Sequence, residues 1–289
     1  MLHFKLRTPL LVLLSLLLFA FKGDKPAYRI HNTKGKVVDY EQLLKAAKDA
    51  DVVFFGELHN NPISHWLQLE LTKDLHATKG DKLVLGAEMF EADNQLILNE
   101  YLAGNISQSS FEQECRLWPN YTTDYKPLVE YAKENNLRFV ASNIPRRYAS
   151  LVYREGLEGL EKLSDDAKKT IAPLPIEVDL SLECYASMMV MAEGHGGENL
   201  PKAQAVKDAT MGWFIAQNRQ AGETLLHYNG AYHSDNWEST VWYLDKYAPG
   251  SKILTITSVL EDDPDSLSKD NAGKAEFTIC VAADMTVTH

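Results

Sequence analysis

Apolar residues fall into two periods along this chain. Six short runs, residues 50–55, 82–87, 137–142, 224–229, 252–258 and 276–282, have the look of strands, and several of them are continuous in apolar side chains. Runs of that length without polar alternation read as strands of a sheet covered on both faces. Between the first two runs, Ile63, Leu67, Leu71 and Leu75 recur every four residues, the stripe of a helix facing a sheet. Asn61 is its expected cap, and Pro62 suits its first turn. Residues 125–135 read as a second crossover helix. This alternation predicts an α/β fold, a mainly parallel sheet flanked by helices, with helix exceeding strand.

Residues 146–222 break the alternation. Helical patterns at 146–163, 164–170, 180–193 and 201–220 carry no clear strand, and Pro173 and Pro175 separate them. The expectation is a smaller helical subdomain inserted between two strands of a domain spanning 25–289. Gly194-His195-Gly196-Gly197 reads as a flexible loop within it. Residues 262–274, rich in Asp, Ser and Lys, read as a solvated loop.

The first 22 residues have the form of an export signal. Lys5 and Arg7 precede an apolar run over 10–21, and Lys22-Gly23-Asp24 ends it. That run is short of the roughly 20 residues a membrane span needs. No cysteine follows it, so a lipid-anchor site is not visible, and the expected location is periplasmic or outer-membrane associated. The three cysteines, Cys115, Cys184 and Cys280, match no zinc spacing and allow at most one internal disulfide. The chain's 289 residues carry a formal net charge of -11 and no basic block, which argues against nucleic-acid binding.

Chemistry concentrates where strands end. Gly56-Glu57-Leu58-His59 follows the first apolar run, and Gly230-Ala231-Tyr232-His233 follows the fourth. In both, a strand-like run meets a glycine and a histidine comes three residues later. Parallel strands deliver their C-terminal ends to one edge, where α/β proteins bind ligands. Glu57, His59 and nearby His65, then Glu88, then Asn143 with Arg146, then His233 should therefore share one rim. Imidazole and carboxylate are the ligand set for zinc, manganese or iron. One assignment gives a divalent metal to His59, Glu88 and His233, with His65 as a further candidate. Glu57 is then the general base and Arg146 the group that stabilises an oxyanion. The bland alternatives are carboxylates capping loops, histidines bonding backbone and His65 on a helix surface. His227, inside the fourth run, reads as a core histidine.

A second set is aromatic and sulfur-rich. Trp118-Pro119-Asn120-Tyr121 precedes Asp124-Tyr125, and Tyr185 shares a helical stretch with Met188, Met189 and Met191. Haem iron accepts Tyr, His or Met, and its macrocycle needs apolar walls. Spacing alone favours a plain core role for these residues. No Gly-x-Ser-x-Gly elbow or glycine-rich phosphate loop is present.

Taken in order, these motifs resemble the ChaN-like haem-binding proteins, within the group that includes Tiki and TraB proteins and is similar to erythromycin-esterase-like enzymes. The carrying residues are Gly56-Glu57-Leu58-His59-Asn60-Asn61-Pro62 with His65, Glu88-Met89-Phe90, Trp118 with Tyr125-Lys126-Pro127, and Asn143-Ile144-Pro145-Arg146. Gln204 to Asp208 with Met211, and Asn229-Gly230-Ala231-Tyr232-His233, complete the set. Lys207 stands where the pattern usually has arginine. The resemblance implies an exported protein that binds haem in iron uptake, with Tyr121, Tyr125, Tyr185 and His195 as candidates for the haem site. A homodimer and a membrane-associated transport partner are open with it. The wider group implies the alternative of metal-dependent hydrolysis at the Glu/His rim.

Overall fold

The computed structural model describes residues 25–191 and 195–289. The signal expected at 1–22, and the first residue of the 194–197 loop, lie outside the described residues. Eight strands form one sheet: β1 (Tyr28–Asn32), β2 (Val37–Val38), β3 (Val52–Glu57), β4 (Leu83–Glu91), β5 (Arg138–Asn143), β6 (Thr224–Gly230), β7 (Ile253–Glu261) and β8 (Phe277–Ala282). Their order is β2-β1-β8-β7-β3-β6-β4-β5. From β8 to β5 every pairing is parallel, whereas β1 joins β8 and β2 antiparallel. All six expected strands are present, mostly displaced by a residue or two, and helix outweighs strand. The β1–β2 hairpin was not foreseen. Its short strands carry too little apolar pattern to signal themselves.

Strict alternation along the central strands explains their apolar runs. Val53 and Phe55 of β3 join Leu226 and Tyr228 of β6 and Leu85 of β4 in one core. That core is closed by the Pro62–Lys79 and Lys126–Glu134 helices through Leu67, Leu71, Leu75 and Leu128. Val52, Phe54, Val84 and Leu225 point the other way, onto Ile215, Val241 and Leu244 of the Asn199–Asn218 and Thr240–Tyr247 helices. Each fully buried leucine contributes about 1.5–3 kcal/mol by leaving water. Gly212 lets the two helices meet closely, since a Cβ there would stand 3.0 Å from Tyr243 Cβ and 3.1 Å from Leu244 N.

Residues 146–222 hold helices and no strand among the described residues. Ile144, Val152, Leu160, Ile171 and Val206 make a smaller core there, separate from the two sheet faces. At the open edge of the sheet, the Gln95 side chain mimics a further strand. Its Nε2 donates to Phe139 O and its Oε1 accepts from Ala141 N. An exposed strand edge is a template for unwanted pairing, and this amide blocks it locally.

Candidate functional site at the sheet rim

Strands β3, β4, β5 and β6 are parallel neighbours, so Glu57, Glu88, Asn143 and Gly230 all arrive at one edge. Gly230 is the last residue of β6, as the sequence pattern suggested, whereas β3 runs one residue past Gly56 to Glu57. Position 56 needs a glycine, since a Cβ there would meet Ala231 Cα and Ile256 O at 2.9 Å. The glycine serves close approach of the turn after β6. β4 likewise runs past Glu88 to Glu91, with a register irregularity between Ala87 and Glu91. Met89 and Phe90 both enter the same core there, so alternation is lost and Glu88 is re-aimed into the rim.

The rim holds two histidine assemblies. In the first, Glu57 is buried and accepts three bonds: from Tyr125 Oη at 2.6 Å, Gln68 Nε2 at 2.5 Å and His59 Nδ1 at 2.9 Å. A carboxylate only accepts, so this network assigns the proton to Nδ1 and leaves Nε2 as the free nitrogen of a neutral His59. The His59 carbonyl is fixed by His65 Nε2 at 3.0 Å and Asn120 Nδ2 at 2.9 Å. The His59 side chain remains 42% exposed. Burial draws its pKa down, but the Glu57 bond and the charges of Glu88 and Glu57 outweigh that, and the net direction is upward.

In the second assembly His233 is enclosed. Nδ1 lies 2.5 Å from Asp208 Oδ1 and Nε2 lies 3.2 Å from Glu88 Oε1. Burial opposes its charge, yet the two carboxylates prevail and raise its pKa to about 10. Burial also penalises the Glu88 carboxylate. The His233 charge and bond, His59 and a 2.7 Å bond from Gly230 N nevertheless hold it well below the usual carboxylate range. Asp208 is further held by Tyr185 Oη at 2.8 Å and Thr240 Oγ1 at 2.9 Å. His233 is thus held between two carboxylates, which favour its charged form.

These contacts do not support the metal assignment. Among the described residues, no group of three or more His, Cys, Asp or Glu is placed to hold a metal ion. His65 is buried, with Nε2 on the His59 carbonyl and Nδ1 3.2 Å from Gln68 Oε1. Glu57, expected as the general base, has all three of its bonds to Tyr125, Gln68 and His59 within the protein. Arg146 is exposed and Asn143 Nδ2 bonds Glu88 O at 3.0 Å, so both do flank the rim.

Of the expected haem residues, Tyr121, Tyr125 and Tyr185 are all buried. The Tyr125 and Tyr185 hydroxyls are committed to Glu57 and Asp208. His195 sits on an exposed turn. His227 is a core histidine, bonded to Ser142 Oγ at 2.8 Å and Asn229 Oδ1 at 3.1 Å, with burial lowering its pKa to about 4. Cys115, Cys184 and Cys280 are buried and unpaired. Asp208 and Gln68 were missed as site residues. The signal for Asp208 was present: one acidic residue among Ala205, Val206, Ala209 and Met211 on a helix must be buried with a partner.

Above both assemblies lies an open cleft of about 670 Å³, lined by His59, Glu88, His233, Tyr232, Met188 and Met191 among others. His59 Nε2 stands over Gly230, where an added Cβ would come within 2.8 Å of it. Trp118 meets the His59 ring edge-on at 5.0 Å between centroids. The cleft therefore offers one imidazole lone pair beside sulfur and aromatic walls, the donor set and surroundings an iron porphyrin takes.

The chain is 28% identical over 200 residues to Protein RETICULATA-RELATED 5, chloroplastic, of Arabidopsis thaliana, covering 64% of this chain. It spans only 26% of that relative's length. The fold is similar to the solved structure of cofacial haem binding to ChaN of Campylobacter jejuni, with a TM-score of 0.67 at 15% identity. The overlap covers 87% of this chain and 96% of that one. An erythromycin esterase in its open conformation overlaps with a TM-score of only 0.45 at 12% identity, covering 89% of this chain and 83% of that one. Residues 43–244 match the family described as haem-binding uptake, Tiki superfamily, ChaN, and the chain belongs to that family.

Proposed function

We propose that this protein is an exported haem-binding protein of iron uptake, and that His59 is its iron ligand. The observation that carries the reading is the Glu57–His59 pair. A carboxylate on Nδ1 fixes the ring, sets the tautomer and raises the basicity of the nitrogen that faces the cleft. Export rests on the charged and apolar pattern of residues 1–22. No helix of the described residues is long and apolar enough to cross a membrane. When bound, haem would supply the iron; His59 would hold it from one strand end, with Met188 and Met191 lining the cleft and Trp118 edge-on to the His59 ring.

Titration of the purified protein with ferric haem, read by the Soret band, tests this. A saturable Soret shift is expected, lost in His59→Gly and restored by added imidazole. A shift that survives His59→Gly with an unchanged maximum would place the ligand elsewhere. Glu57→Gln should retain binding but lower the affinity, because the ring loses a charged partner and keeps its position.

A further inference from the structure

The charged and hydroxyl groups nearest His59 in its cleft are already taken. Glu57 accepts from Tyr125, Gln68 and His59, while Glu88 accepts from Gly230 N and faces His233 Nε2. His233 has a carboxylate at each nitrogen, and Tyr232 Oη donates to Cys184 O. What the cleft still offers is Nε2 of His59, the thioethers of Met188 and Met191, and the ring of His289. Spacing in the sequence favours a plain core role for the methionines, and the structure differs: Met191 is 69% exposed. A buried methionine fills space, whereas one that lines a cleft beside an imidazole has a polarisable sulfur free to accept a cation. Met188 and Met191 stand three residues apart on the Glu183–Met191 helix and so share a face. The first turn of that helix is fixed to the frame of the rim. Glu238 accepts from Glu183 N at 3.1 Å and Cys184 N at 2.7 Å, and Tyr185 Oη donates to Asp208 at 2.8 Å.

We infer that this cleft binds Cu(I), with His59 Nε2, Met188 Sδ and Met191 Sδ as its three ligands. Softness decides the metal. Hard and borderline divalent ions take carboxylate and imidazole, and the carboxylates here are committed, whereas thioether sulfur selects Cu(I). The Glu57 carboxylate on His59 Nδ1 is the outer support that metal-bound imidazoles carry. A formal net charge of -11 favours a cation over an anion at the same opening. The inference shares the free nitrogen of His59 with the haem reading but does not depend on haem being bound.

The test is an anaerobic titration of the purified protein with Cu(I), supplied as its acetonitrile complex, in competition with bicinchoninate. An equimolar amount of copper should be withdrawn from the coloured bicinchoninate complex. Glu57→Gln should weaken this by about 10–100-fold, the usual effect of losing an outer partner. His59→Gly and the double variant Met188→Leu with Met191→Leu should each lose more than that. Leucine keeps the volume of methionine, so the melting temperature of the metal-free double variant should stay in place, which separates lost sulfur from lost packing. His289→Ala should bind Cu(I) as the natural sequence does. Failure to withdraw copper, full affinity in the double methionine variant, or loss in His289→Ala with retention in His59→Gly overturns the assignment and leaves the haem reading intact. Absence of a Soret change with haem overturns that reading and leaves the copper site standing.

Discussion

The two halves of the rim start from one motif and end with opposite chemistry. Each has a glycine, a histidine three residues later and carboxylates in reach. His59 meets one carboxylate through one nitrogen and keeps 42% of its side chain open to the cleft. His233 meets a carboxylate through each nitrogen, and its side chain is only 6% exposed. The difference comes from what lies above. The Asn199–Asn218 helix covers His233 and supplies Asp208. Over His59 the same edge stays open. An oriented histidine needs one partner and a free nitrogen, whereas a histidine given two partners becomes structural.

The sharpest way to break this contrast is to remove each imidazole in turn. His233→Ala strips the positive charge from between two buried carboxylates, and an uncompensated buried charge costs about 3–5 kcal/mol. Urea unfolding should show the midpoint falling steeply. A loss under about 1 kcal/mol would mean that the triad is solvated, not locked.

The alkaline limb of stability tests the same half without mutation. His233 has its folded pKa raised, so its contribution is complete below its ordinary value of 6.5 and is lost as pH climbs through about 10. Glu88 has its pKa lowered, so its contribution is present above 4.5 and is lost on acidification. The melting temperature should therefore be highest between these ordinary values and decline from neutral pH towards about 10. In His233→Gln that alkaline decline should flatten. An unchanged slope would remove His233 as its source.

On the open half the effects on stability are smaller. Asn61 Oδ1 accepts from Ile63 N at 3.0 Å and Ser64 N at 3.1 Å, capping the helix that follows His59. Asn61→Ala should cost about 1 kcal/mol. His59→Ala should cost least, under about 1 kcal/mol, because Glu57 keeps its bonds from Tyr125 and Gln68. Its large effect is on haem binding, so stability and Soret titration should move in opposite order for His233 and His59. If His59→Ala unfolds the protein, the two halves are not functionally distinct.

Much of this was written in local pattern. Short, largely apolar runs marked the six main strands because both sheet faces are covered, and a four-residue stripe with Asn61 and Pro62 marked the helix after β3. Parallel topology then brought Glu57, His59, Glu88 and His233 to one edge, as chain alternation predicts for any sheet of this class. Their roles were not local. Whether a histidine is a ligand or an ion-pair partner depends on which side chains close around it, and those come from elsewhere in the chain: Tyr125 lies 68 residues beyond Glu57, and Asp208 lies 25 residues before His233. Tyr121, Tyr125 and Tyr185 look alike in sequence to a tyrosine that faces a ligand; only packing assigns them to the interior. Periodicity encodes which face is buried. Burial and the partners met there set charge, and charge decides which of two matching histidines remains free to bind.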